Sequence, residues 1–163
     1  MNHVFSLRSD AFPPGTEVVG FRGVEALSTP YRFTIWLTVP SLAVEFDMGD
    51  AVGTRATLEV GRSDLLAEPQ RVHGVLTTIE LELEAHGRAL FRVELVPAVE
   101  RLAHVRHSRV FTNRTVPAIV TEVLAGAGFT PADFELRLQG SYPVEEHVCQ
   151  YRESDLDFLA RWM

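Results

Sequence analysis

Three glutamates stand at alternate positions in one short stretch, Glu80, Glu82 and Glu84. On a β-strand they would share one face at intervals of ~6.6 to 7 Å. Carboxylates at such separations can serve glycoside hydrolysis or bind a cation. A solvated strand face is the simpler interpretation, because antiparallel strands commonly turn polar residues to water and Arg88 and Arg92 supply counter-charges.

Two histidines and the cysteine are the other candidates for chemistry. His104 and His107 have a spacing that could place both on one helical face as metal ligands, but no motif supplies a third ligand. Cys149 and His147 would share one side of a strand, yet a catalytic thiol also needs oxyanion donors and an orienting group. We therefore predict structural or surface roles for His104 and His107 and a core position for Cys149. No catalytic, cofactor-binding or metal-binding residue is predicted.

Composition narrows the possible partners. The 163 residues carry a net charge of −7, and all 15 basic residues are arginine. Nucleic-acid binding needs a concentrated positive surface, which this chain lacks. No run approaches the ~20 apolar residues of a membrane span, and no signal peptide is visible, so we expect synthesis in the cytoplasm. A single cysteine excludes an internal disulfide.

Alternating apolar and polar residues dominate the first hundred positions and predict β-strands. One strand face is predicted to hold Tyr31, Phe33, Ile35, Leu37 and Val39. Residues 55–60 alternate in the same way.

The clearest predicted hairpin runs from Thr77 to Val96. A three-residue loop at residues 85–87 keeps the apolar residues of both strands on one face, whereas a two-residue loop would mix the faces. This register pairs Leu81 with Phe91 and Ile79 with Val93. It also predicts two ion pairs, Glu84 with Arg88 and Glu80 with Arg92.

Helical signals appear after Pro97. Residues 115–125 carry an apolar helical face behind Thr115 as the N-cap, and glycines follow. Residues 134–138 and 148–151 have the pattern of short strands. A last helix begins behind Ser154, and because its pattern stops at Met163 without a cap we expect a truncated C-terminus.

The sequence from His147 to Arg161 resembles the VgrG family, the trimeric spike proteins of type VI secretion systems, which are related to baseplate hub and late-control D proteins of contractile phages. Three other segments match this family in order: residues 21–33, residues 71–75, and residues 108–111 followed by 116–120. The signature comprises Gln150, Tyr151, Glu153, Ser154, Asp155, Phe158, Leu159 and Arg161. Its residue types indicate a folding device, with Ser154 as the helix cap and Gln150 satisfying backbone groups.

The resemblance implies a homotrimeric hub that docks on the hexameric Hcp tube and contacts baseplate proteins and possible effectors. The expected fold is α+β and mainly β, with an antiparallel barrel-like hub portion at residues 1–100 and a smaller α+β portion at 101–163. Such a protein would be cytoplasmic before assembly and secreted or injected afterwards. Two alternatives stay open: a hub of a phage tail, tailocin or extracellular injection particle, and a hydrolytic or cell-wall-cleaving effector.

Overall fold

The structure, a computed structural model, describes residues 3–40, 47–62 and 68–162. It forms two compact units, Met1–Ala98 and Val99–Met163. Antiparallel strands account for most of the regular structure, which confirms the predicted α+β, mainly β class.

The first unit is a single six-stranded antiparallel sheet. Its strands are β1 (His3–Arg8), β2 (Glu17–Ala26), β3 (Thr29–Pro40), β4 (Arg55–Arg62), β5 (Gln70–Ala85) and β6 (Arg88–Val96), in the spatial order β1-β4-β5-β6-β3-β2. A short helix, α1 (Met48–Ala51), precedes β4. The sheet curls strongly. Its two end strands come together, as shown by the rings of Phe5 in β1 and Phe21 in β2, which meet edge to face at 5.2 Å. This curl gives the sheet its barrel-like form.

The alternation in β3 produces the core of this unit. Every second residue from Phe33 to Val39 is buried, as the sequence predicted, and Tyr31 is partly buried at the same face. The buried cluster consists of Phe33, Ile35, Leu37, Val39, Ala56, Leu58, Val72, Leu76, Ala89, Phe91, Val93 and Leu95.

The β5–β6 hairpin has the predicted pairing at Leu81–Phe91 and Ile79–Val93, and Glu80 lies opposite Arg92 and forms an ion pair with it. The predicted loop is wrong: only residues 86 and 87 connect the strands, both with positive φ. A bulge between Leu81 and Leu83 takes up the extra residue, so that Ile79 and Leu81 keep their predicted partners without a longer loop. Beyond the bulge the faces change, and Glu84 no longer shares a face with Glu80 as predicted.

This turn overturns the predicted pair of Glu84 with Arg88. Glu84 lies opposite Ala89, because the two-residue turn places Ala85 opposite Arg88. The Arg88 guanidinium instead donates to the Thr38 hydroxyl at 2.7 Å and lies 3.3 Å from Glu17. It therefore ties β6 to β2 and β3.

The second unit is a two-stranded antiparallel ribbon with helices. A 3₁₀ helix (Ala98–Ala103) leads to β7 (Arg106–Thr115), α2 (Val116–Gly126), β8 (Val144–Ser154) and α3 (Asp155–Ala160). Thr115 caps α2 as predicted, with its hydroxyl accepting from the Ala118 amide. The buried cluster consists of Leu102, Phe111, Ile119, Val120, Val123, Leu124, Val148, Phe158 and Leu159.

The predicted strand at residues 134–138 is absent from the described structure. This segment is irregular, with Leu136 and Leu138 exposed and Glu135 paired with Arg137 at 3.0 Å. Its alternating pattern is that of a strand, but a strand forms only where a neighbouring backbone completes its hydrogen bonds. The strand predicted at residues 148–151 exists and is longer, from Val144 to Ser154.

Within the described part of the chain, none of the helices has both the length and the apolar character that crossing a bilayer requires.

Candidate functional site

The signature residues gather where β8 turns into α3. Inward-facing positions of β8 hold Val148 and Gln150, both buried, and the strand ends at Ser154. Arg152 has a left-handed backbone with φ of 50°, at a bulge where two residues of β8 face one step of β7. Its amide donates to the Ser108 hydroxyl at 3.2 Å, which helps hold this uncommon conformation.

Ser154 begins α3 as the sequence predicted. Its hydroxyl accepts from the Asp157 amide at 3.0 Å and donates to the Asp157 carboxylate at 2.7 Å. One of the unsatisfied amides at the helix start thereby gains a partner.

Asp155 is the centre of a polar cluster beneath this turn. Its side chain is only 5% exposed, and one oxygen, Oδ1, accepts from three side chains. The donors are Arg109 at 2.7 Å, Gln150 at 2.8 Å and Nδ1 of His107 at 3.0 Å. Gln150 is fully buried, accepts from Arg109 at 2.7 Å and donates to the Glu153 carbonyl at 3.2 Å. Burial of the Asp155 carboxyl favours a raised pKa, but these hydrogen bonds and the Arg109 charge outweigh it and hold the pKa below its usual value.

An ion pair between Arg161 and Glu153 lies beside the junction of β8 and α3. The Arg161 guanidinium binds both carboxylate oxygens of Glu153, at 2.6 and 3.1 Å, and also donates to the Cys149 carbonyl at 3.2 Å. It lies over the Phe158 ring, which is fully buried. The end of α3 is therefore fixed to β8 by a two-pronged ion pair.

A match to the phage tail baseplate hub family covers residues 24–163. The chain belongs to this family. The resemblance to VgrG proteins is confirmed as well: this hub chain is 34% identical to the actin cross-linking toxin VgrG1 of Vibrio cholerae serotype O1 and 33% identical to the type VI secretion system spike protein VgrG5 of Pseudomonas aeruginosa, each over 96% of its length. It spans only 15% and 19% of the length of these two relatives.

Solved structures give the same result for the hub fold. The E. coli protein c3393, described as a type VI secretion component with structural similarity to the T4 tail proteins gp27 and gp5, superposes with a TM-score of 0.84 at 28% identity, over 96% of this chain and 42% of c3393. A 43 kDa tail protein of prophage MuSo2 from Shewanella oneidensis has a TM-score of 0.64 at 15% identity, over 98% of this chain and 47% of its own, and shares the fold.

The hub signature divides into buried and exposed parts. Gln150, Ser154, Asp155, Phe158 and Leu159 are buried together, whereas Tyr151 is 66% exposed on the opposite face of β8. Cys149 is exposed beside it, so its predicted core position is wrong. Strand alternation explains the correction, because Val148 and Gln150 take the inward positions on either side of it.

The residues singled out for chemistry do not converge in the hub chain. His107 binds Asp155. Glu80 and Glu82 both bind Arg92. Among the residues that the structure describes, no group of histidine, cysteine and acidic side chains could hold a metal ion. The arrangement around Asp155 can orient β7, β8 and the start of α3 relative to one another.

The contacts of two β7 residues with Asp155 were missed by the sequence interpretation, although His107 was among its candidates. Arg109 and His107 hold Asp155 from β7, and an arginine two positions before the buried Phe111, at the same strand parity, is the signal that could have revealed Arg109.

A second buried carboxylate lies in β4 and was also missed. Glu59 binds Arg71 of β5 at 3.0 Å and Arg8 of β1 at 2.9 Å, and it accepts from the Ser6 hydroxyl. The Arg71 hydrogen bond is the main cause of its lowered pKa. The matched segment at residues 71–75 thus helps to hold three strands of the hub sheet in register.

Proposed function

We propose that this chain is a structural part of the spike hub of a type VI secretion system, where it trimerises and docks on the Hcp tube during contractile injection. The observation that carries the proposal is the similarity to c3393, a type VI secretion component, over nearly the whole chain. The identity to VgrG5 over 96% of the chain supports the same assignment.

The physical character of the molecule fits a mechanical role. A curled sheet with a continuous core and cross-strand ion pairs resists bending, because a close-packed interior deforms little. A ring of such sheets could present a shape that matches the end of a tube. The force for injection would come from contraction of the sheath, while this chain transmits it.

Partners and location follow from the assembly role. The proposed partners are further copies of the chain, the Hcp tube, baseplate proteins and effectors carried by the spike. The chain would fold in the cytoplasm and leave the cell with the apparatus. It contributes fit between neighbours and no chemical step, and the toxin activity in the name of the Vibrio relative belongs to a protein of which this chain matches 15%.

A secretion assay in cells tests the role. In a host strain whose other spike genes are deleted, loss of the gene encoding this chain should abolish release of Hcp into the medium, and reintroduction should restore it. Hcp release at the normal level without the gene would refute the assignment. Release of intact tail-like particles in place of Hcp would favour the phage-tail or tailocin hub.

A binding assay tests the two finer claims separately. Native mass spectrometry of the chain alone should show a trimer, and the trimer should bind Hcp rings. A monomer that binds Hcp would contradict trimerisation and support docking. A trimer that does not bind Hcp would contradict docking.

A further inference from the structure

The second half of β5 has an edge that no described strand covers. β4 pairs with β5 only from Gln70 to Val75, whereas β6 continues along the other side as far as Ala85. Residues Thr77–Ala85, here named the β5 arm, therefore have backbone groups directed away from β6 with no described strand beside them. An edge of this kind is the template on which an added strand pairs.

The exposure of Leu81 marks the open side of the β5 arm. It lies opposite Phe91, which is buried, yet Leu81 itself is 48% exposed. Among the residues that the structure describes, no strand pairs with the side of β5 away from β6 at this level. An additional strand there would cover Leu81 with its inward-facing side chains.

The charge of the β5 arm restricts which strand can pair. Its charged residues are Glu80, Glu82 and Glu84, and it contains no basic residue. Arg92 of β6 binds two of these carboxylates, which leaves the arm with an excess of negative charge. Acidic residues and bulges at an edge prevent pairing with neutral or identical strands, and they leave pairing with a basic strand possible.

We propose that the β5 arm binds an extended strand of another polypeptide that alternates apolar and basic side chains. The apolar side chains cover Leu81, the basic ones lie against Glu80 and Glu82, and the backbone extends the sheet by one strand. The proposal rests on the assembly role above, since it names the kind of neighbour that the hub sheet receives.

A synthetic peptide of alternating valine and arginine, long enough to span the arm, tests the proposal on the isolated chain. Amide hydrogen exchange followed by NMR should slow within Thr77–Ala85 when the peptide is added. A peptide of the same composition with its valines and arginines in separate blocks is the control and should give no such protection. Protection elsewhere, or equal protection by both peptides, would overturn the proposal.

Matched charge variants separate a specific edge from general attraction. Replacing all three arm glutamates, by Glu80→Gln, Glu82→Gln and Glu84→Gln, should weaken binding of the alternating peptide about tenfold, which corresponds to ~1.4 kcal/mol. The control set Glu25→Gln, Glu135→Gln and Glu146→Gln removes equal charge outside the arm and should leave affinity unchanged. Equal weakening by both sets would refute the proposal. If the arm triple variant fails to fold, Glu82→Gln alone keeps the pair of Glu80 with Arg92 and should still weaken binding measurably more than Glu146→Gln.

The outcome is independent of the proposed function. Peptide binding is measured on the purified chain, whereas hub function is measured by Hcp release from cells. If Hcp release requires the gene but no peptide binds the β5 arm, the strand-binding proposal is wrong and the hub proposal stands. If the peptide binds the β5 arm but Hcp release does not require the gene, the hub proposal is wrong and the strand-binding proposal stands.

Discussion

The Arg109 guanidinium donates to the Asp155 carboxylate over 2.7 Å, and through this contact β7 holds the first residue of α3. His107 of the same strand and Gln150 of β8 donate to the same oxygen. One carboxylate atom therefore joins two strands and a helix. In the family signature, Asp155 acts as a fastening point beneath the helix cap.

Asp155→Ala should destabilise the second unit by about 3 kcal/mol. The substitution leaves the Gln150 amide without its best acceptor and Arg109 without its counter-charge, and removing one partner of a buried charged network is costly. Breaking a buried ion pair costs roughly 3 to 5 kcal/mol. We expect the low end of this range because Arg109 is partly exposed. Urea unfolding followed by Trp162 fluorescence, in a Trp36→Phe background, would measure it.

Glu146→Ala provides the matched control, because this glutamate is highly exposed and 3.9 Å from its nearest partner, His147. Its effect should stay within about 0.5 kcal/mol. Equal effects of the two substitutions would contradict the fastening role of Asp155.

Acid should weaken the second unit through the same residue. The pKa of Asp155 is lowered in the folded chain, so the folded state binds this proton less tightly than the unfolded state. The stabilisation is therefore fully present above the unfolded pKa of ~3.9 and is lost as the pH falls through the folded pKa.

Unfolding of the second unit at a series of pH values would test this. Its free energy of unfolding should fall more steeply below about pH 4 in the wild-type chain than in Asp155→Asn, which cannot titrate at this position. Parallel acid profiles for the two proteins would show that Asp155 contributes nothing to the pH dependence.

Local signals in the sequence predicted much of the fold. The two-residue period of β3 placed its inward face correctly, and the hydroxyls of Thr115 and Ser154 marked the starts of α2 and α3. These features depend on neighbouring residues, which is why one sequence suffices to find them.

Features that depend on distant residues were less predictable. His107 and Arg109 lie 48 and 46 positions before Asp155, and no local pattern joins them. Cys149 was assigned to the core from its residue type, whereas the inward parity of β8 was fixed by Val148 and Gln150. Residues 134–138 have the residue types of a strand, but a strand also needs a neighbouring backbone to hydrogen-bond with, and the sequence does not specify one.

Gly74→Ala should disrupt the contact of β5 with β6. A Cβ at this position would lie 2.3 Å from the Val96 carbonyl oxygen, so backbone must shift to admit it. We expect a loss of about 3 kcal/mol or more in the first unit, the upper range for overpacking. Urea unfolding followed by Trp36 fluorescence, in a Trp162→Phe background, would report the change.

Gly20→Ala is the control for Gly74→Ala, since a Cβ there meets nothing within 4 Å. It should be close to neutral or slightly stabilising, because alanine restricts the unfolded chain. A large loss in Gly20→Ala, or none in Gly74→Ala, would contradict the packing of this sheet.

The last prediction concerns the β5–β6 turn, whose length decides which residue of β6 lies opposite Glu84. His86 and Gly87 both have positive φ, at 52° and 75°, which is the type I′ geometry that favours asparagine before glycine. His86→Asn should therefore stabilise the first unit by about 0.5 kcal/mol, and His86→Val should destabilise it by about 1 kcal/mol, since a β-branched side chain is strained at positive φ. Trp36 fluorescence during urea unfolding would measure both, with His147→Asn and His147→Val on an exposed strand position as controls. In the three-residue loop, Gly87 alone takes the left-handed position, so no effect of either His86 substitution would indicate that loop and restore Arg88 as the partner of Glu84.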